Sequence, residues 1–93
     1  MKIQSVYKVP KGKLLKIFAE VDENKETLQS IRITGDFFAY PEESITQLED
    51  LLKNIPFNEK DLYQTISTFI KEENIQFIGI DADGLTDAIM RCT

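Results

Sequence analysis

The stretch Lys13-Leu14-Leu15-Lys16-Ile17-Phe18-Ala19-Glu20-Val21-Asp22 decides the fold. Leu15, Ile17, Ala19 and Val21 fall on one face, and Lys16, Glu20 and Asp22 on the other. A period of two marks a half-buried strand. Leu14 and Phe18 join the second face, so that face is not wholly polar. Downstream, Asp22-Glu23-Asn24-Lys25-Glu26 is polar and suits a hairpin connection. Thr27 to Thr34 alternates again, which sets Gln29, Ile31 and Ile33 opposite Leu28, Ser30 and Arg32. Upstream, Ser5 to Val9 is a β-prone run that stops at Pro10, with Lys11-Gly12 as a turn signal. These segments predict an antiparallel meander of three strands.

The alternation breaks at Gly35-Asp36-Phe37-Phe38-Ala39-Tyr40-Pro41. Pro41 suits the first position of a helix, where its missing N–H leaves nothing unpaired. Glu42 and Glu43 then meet the positive end of the helix dipole. Ile45, Leu48, Leu51, Leu52 and Ile55 form a helical stripe that ends at Asn54 and Pro56. Asn58 is a good N-cap for a second helix, with Glu59 and Asp61 in its first turn. Leu62, Ile66, Phe69 and Ile70 make its apolar face, and Glu72-Glu73-Asn74 closes it. Ile75 to Ile80, interrupted at Gly79, reads as a fourth strand or an extended connector. Asp81 or Asp83 caps a last short helix carrying Leu85, Ala88, Ile89 and Cys92 on one side. The expected fold class is α+β: an antiparallel β-meander of about three strands, with two main helices and a short C-terminal helix packed on one face, in a single domain over residues 1–93.

A chain of 93 residues fits one domain. Its 42% hydrophobic and 29% charged residues argue against disorder. Sixteen acids against eleven bases give a net charge of −5. A domain-wide nucleic-acid binder is expected to be basic instead. With one cysteine and no histidine, an intrachain disulfide, a Cys/His zinc site and histidine-based acid–base catalysis are excluded within one chain. No apolar run approaches the ~20 residues of a membrane span. The first residues carry no apolar signal-peptide region. The expectation is a cytoplasmic protein that binds neither nucleic acid nor membrane and holds no metal of its own.

Two features depart from background. Lys2, Lys8, Lys11, Lys13 and Lys16 are five of the eleven bases, and no acid precedes Glu20. Within Lys11-Gly12-Lys13, the glycine lets the backbone approach a ligand, and the ammonium groups suit phosphate or carboxylate. The same lysines also serve to solvate an exposed hairpin and blunt a sheet edge. The second feature is the aromatic cluster Phe37, Phe38 and Tyr40, between sheet and helix. One phenylalanine is expected in the core, and one or two of the rings on the surface as an apolar patch for a partner. Gly35 is expected to supply an unusual backbone angle, and Asp36 to hydrogen-bond free turn amides. Cys92 reads as a small core residue, since no histidine is there to activate it.

Lys8-Val9-Pro10-Lys11-Gly12-Lys13-Leu14 and Ile31-Arg32-Ile33-Thr34-Gly35-Asp36-Phe37-Phe38-Ala39-Tyr40-Pro41-Glu42-Glu43, with the helices and Ile78-Gly79-Ile80 that follow, resemble the carboxy-terminal accessory domain of lipoate–protein ligases. The stretch from Ile33 to Glu43 is the specific part. The likeness covers nearly the whole chain, and since the chain begins at Met1 with this domain, it resembles the separately encoded small subunit of some archaea. The resemblance implies a β-sheet packed against helices, in a fold group shared with iron–sulfur assembly scaffolds. It also implies a heterodimer with a large catalytic subunit that binds ATP, Mg and lipoate, makes lipoyl-AMP, and passes the lipoyl group to a lysine of an acceptor. The acceptors it implies are the acyltransferase domain of 2-oxoacid dehydrogenases and the glycine-cleavage H protein. On this chain it points to Lys13, with Lys11, as support for adenylation. It points to Gly12, Lys13, Gly35, Asp36, Phe37, Phe38, Tyr40 and Pro41 as the binding surface, with no cofactor held by the chain alone and no activity expected from it alone.

Two other classes compete. A free-standing interaction or scaffold module related to iron–sulfur assembly proteins needs an exposed reactive cysteine, and the only cysteine lies on a helix stripe. A small phosphate-ligand binder would work through Lys11 and Lys13.

Overall fold

A computed structural model describes residues 1–10 and 12–93. Lys11 lies outside the described residues. Three strands, β1 (Lys2–Lys8), β2 (Leu14–Asp22) and β3 (Thr27–Gly35), form one antiparallel sheet in the order β1-β2-β3. The alternation of β2 is realised: Leu15, Ile17, Ala19 and Val21 are buried, while Leu14, Lys16 and Phe18 face out. β1 starts earlier than its propensity suggests. Lys2 pairs with Glu20, and Val9 leaves the ladder to bond within the following turn.

β3 departs from simple alternation. Leu28 is fully buried on the same side as Ile31 and Ile33, not opposite them. The pairing steps from Glu20↔Ser30 to Val21↔Leu28, so Gln29 is an extra residue in β3. Such a bulge inverts the parity of the strand. It brings Leu28 inward and leaves Gln29 exposed.

A second sheet completes the α+β fold. β4 (Phe38–Tyr40) and β5 (Gln76–Ile78) pair antiparallel, with Phe38 opposite Ile78 and Tyr40 opposite Gln76. The late apolar segment is therefore a strand, and its partner lies in the aromatic run. That pairing keeps the chain extended through Tyr40. The Tyr40–Pro41 peptide is cis, and the first helix, α1 (Ser44–Leu51), begins only at Ser44. Pro41, Glu42 and Glu43 thus precede the helix, with Glu43 at the cap and no acid in the first turn.

Leu48 and Leu52 of the expected stripe are buried, whereas Leu51 is exposed. α1 packs on β3 and β4, and the Glu49 carboxylate accepts the Ile33 N–H at 2.7 Å, so α1 guards a sheet edge. α2 (Glu59–Glu72) starts where Asn58 accepts the Asp61 N–H at 2.9 Å, and α3 (Ala82–Met90) where Asp81 accepts the Gly84 N–H at 2.7 Å. α3 packs on β1, β2 and α2. Leu62, Ile66, Leu85, Ala88 and Ile89 complete the core over the inward sheet face. Among the described residues no helix is long and apolar enough to cross a membrane.

Candidate functional site

The turn after β1 is closed by backbone bonds. Val9 N–H donates to Lys13 C=O at 3.1 Å, and Gly12 N–H donates to Val9 C=O at 2.8 Å. The turn is also fastened from outside, where Lys13 N–H donates to the Gly79 carbonyl at 3.2 Å. A Cβ on residue 12 would sit 2.7 Å from that carbonyl oxygen, which is why glycine is needed there. Lys13 is exposed, and its Cγ lies across Gly79. Among the described residues no carboxylate pairs with Lys13 within 4 Å.

Gly35 ends β3 with φ +150°, where a Cβ would collide with the Leu14 carbonyl oxygen. The next residue is held by its main chain: Asp36 N–H donates to the Leu14 carbonyl at 3.0 Å. The expected side-chain bond from Asp36 to turn amides is not found among the described residues. The backbone bond does that work, and leaves the carboxylate exposed.

The aromatics then separate. Phe37 turns inward, half-buried against the core, and meets Phe77 edge-to-face with centroids 6.5 Å apart. Phe38 is 65% exposed, Tyr40 51% and Ile78 48%. Strand pairing explains the grouping. Phe38, Tyr40 and Ile78 share the outward face of the small sheet, and Ala39 and Phe77 the inward one. Pro41 is exposed beside them.

The fold thus brings Gly12, Lys13, Asp36 and Phe37 together around Gly79, with Gly35 just before Asp36, while Phe38, Tyr40 and Pro41 follow along β4. Sequence reasoning did not include Phe77, Ile78 and Gly79 in this set. The signal for them was Gly79, which interrupts Ile78 and Ile80 and here takes φ +98° between the lysine turn and the aromatic strand. The arrangement can present an ammonium group from a braced turn beside an apolar patch.

Cys92 is buried at the far end of α3, and its thiol contacts the Ala88 carbonyl. Burial pushes the thiol above its ordinary value, against a smaller opposing effect of the bond with Ser5. That environment disfavours a thiolate, which weighs against a sulfur-carrying scaffold.

The chain is similar to known proteins in sequence and in fold. A family model described as the bacterial lipoate protein ligase C-terminus matches residues 2–89. A lipoate-protein ligase A subunit 2 of Thermoplasma acidophilum is 43% identical over 47 residues, half of this chain. That match spans 47% of the relative's own length. A chain of a solved archaeal lipoylation system, described as a bi-partite lipoate protein ligase and its E2 lipoyl domain from Thermoplasma acidophilum, superposes with a TM-score of 0.81 at 27% identity. The superposition covers 96% of this chain and 94% of that one. The glycine-braced turn, the Gly35 junction, α1, α2 and all but the last residue of α3 fall inside the matched residues, and the chain belongs to the family of the bacterial lipoate protein ligase C-terminus.

Proposed function

We propose that this chain is the small accessory subunit of a two-chain lipoate–protein ligase, working in the cytoplasm with a large catalytic subunit. The observation that carries this reading is the near end-to-end overlap with a chain of the archaeal bipartite ligase. In the reaction, a carboxylate oxygen of lipoate attacks the α-phosphorus of ATP. Pyrophosphate leaves and lipoyl-AMP remains. A lysine amine of the acceptor, an acyltransferase lipoyl domain or a glycine-cleavage H protein, then attacks the acyl carbonyl and AMP leaves. ATP, Mg and lipoate bind the large subunit.

The contribution of this chain is positioning and charge. Negative charge develops on the pentacoordinate phosphorus, and a pre-placed cation in a water-poor site stabilises it. Lys13, braced through Gly79, is the group we assign to this role, with Lys11 as a lesser partner. Phe38, Tyr40 and Ile78 would seat the small sheet against the large subunit by burying apolar surface. The chain alone adenylates nothing.

The test separates the two half-reactions. Supplied with ATP and lipoate, the large subunit lipoylates its acceptor only when this chain is added. Supplied with synthetic lipoyl-AMP, it transfers at the same rate with or without this chain. Equal dependence of both half-reactions on this chain would overturn the assignment to adenylation.

A further inference from the structure

The helices leave one broad surface uncovered. Along β1, β2 and β3 the outward positions are Lys2, Gln4, Val6 and Lys8; Leu14, Lys16, Phe18 and Glu20; and Ser30, Arg32 and Thr34. Phe18 stands at the centre, paired with Gln4 on one side and Arg32 on the other, and is 47% exposed. Val6 is 66% exposed one pair away. Four cations, Lys2, Lys8, Lys16 and Arg32, surround them in a chain of net charge −5. The carboxylates of outward parity lie toward the hairpin end: Glu20, and Asp22, which is bonded into the turn through the Asn24 and Lys25 N–H groups. Among the described residues the one ion pair within 4 Å is Lys53–Asp50, on a different part of the surface.

We propose that this sheet face, centred on Phe18 and ringed by Lys2, Lys8, Lys16 and Arg32, docks a carboxylate-rich surface of the large catalytic subunit. The inference rests on the two-chain reading above and assigns a surface and a chemistry to the assembly. An exposed aromatic with cations around it is the pattern of an interface centre inside a polar rim.

Size decides that the aromatic tip is not enough. A stable pair buries about 800 Å² per partner. Three-residue strands at a rise of ~3.3 Å per residue present roughly 100 Å² of flat sheet, whereas the three longer strands, of seven and nine residues, present a face of about 25 by 15 Å, roughly fourfold more, and the two together come nearest to that size. The two surfaces are continuous, since Leu14 follows Lys13 directly and Thr34 and Phe38 line one shallow hollow. A partner seated on the sheet face thereby also reaches the lysine turn.

Charge selects the occupant. A second copy docking face to face about a two-fold axis would set Lys16 and Arg32 against their own kind. A nucleic acid prefers an unbroken basic stripe, and here Val6, Phe18 and Glu20 interrupt it. An acidic protein surface with an apolar centre satisfies both the rim and Phe18.

The experiment measures the dissociation constant of this full chain with its purified cognate large subunit, for wild type, Phe18→Asp, the pair Lys16→Glu with Arg32→Glu, and Lys60→Glu on exposed α2 as a control. All four are first checked for native circular dichroism; the changed side chains are exposed, so folding is retained. Phe18→Asp should weaken the complex about thirtyfold or more. The double reversal should weaken it at least about tenfold and flatten its salt dependence, while Lys60→Glu matches wild type. A complex that forms with wild-type affinity in both sheet-face variants overturns this inference and leaves the two-chain reading standing. So does a sheet-face effect confined to self-association, acceptor binding or RNA binding with the heterodimer intact. If wild type forms no complex at all, both fall.

Discussion

Lys13 owes its placement to neighbours that are themselves constrained. Its N–H is tied to the Gly79 carbonyl, the preceding residue tolerates no Cβ, and its side chain runs over a glycine in the left-handed region. A lysine on an ordinary hairpin tip would lose orientation to its own rotamer freedom. This one emerges from a turn fixed on two sides. Lys13→Ala is therefore expected to slow lipoyl-adenylate formation by about 10²–10³. Exposed, and with no carboxylate within 4 Å among the described residues, the residue contributes little to folding, so stability should move by only a few tenths of a kcal/mol. Single-turnover adenylation at saturating ATP and lipoate, with the complex shown to be fully formed, is the relevant measurement. A rate within about twofold of wild type would remove the electrostatic role. Cys92 is the opposite kind of residue: buried, its thiol raised by desolvation, and engaged in packing.

At the scale of elements, the bulge in β3 sets which residues make the core. Leu28 is fully buried and Gln29 exposed, although strict alternation assigns Gln29 to the face of Ile31 and Ile33. Leu28→Ala should cost about 2–5 kcal/mol, and Gln29→Ala should stay within about 0.5 kcal/mol. Urea unfolding of the two variants tests this, and the reverse order would contradict the bulge. What was legible in the sequence was local. The period of β2, the Asn58 and Asp81 caps and the apolar faces of α2 and α3 depend on residues a few positions apart. The start of α1 was not legible, because Phe38–Tyr40 is held extended by Gln76–Ile78, and three residues are too few to show a period. The candidate site was legible as residue types, a glycine–lysine turn and an aromatic cluster. Its geometry was not, because the Lys13 turn, the Asp36 junction and the Gly79 loop meet only in three dimensions. Leu51 illustrates a helix period that holds while its burial does not, since α1 lies along an edge.

The whole molecule is polarised. The cations concentrate on one sheet face and its adjoining turn, while carboxylates are frequent on the helices, on a body with a radius of gyration of 12.1 Å. Those exposed cations lie on the side of the sheet away from the core. Such a molecule is suited to complete a site that another chain begins. The most direct measurement is pyrophosphate release from ATP and lipoate by the large subunit, titrated with this chain. Release should be near background without it and rise to a plateau at one chain per large subunit. A large subunit that releases pyrophosphate at the full rate by itself, unmoved by this chain, would contradict the accessory role.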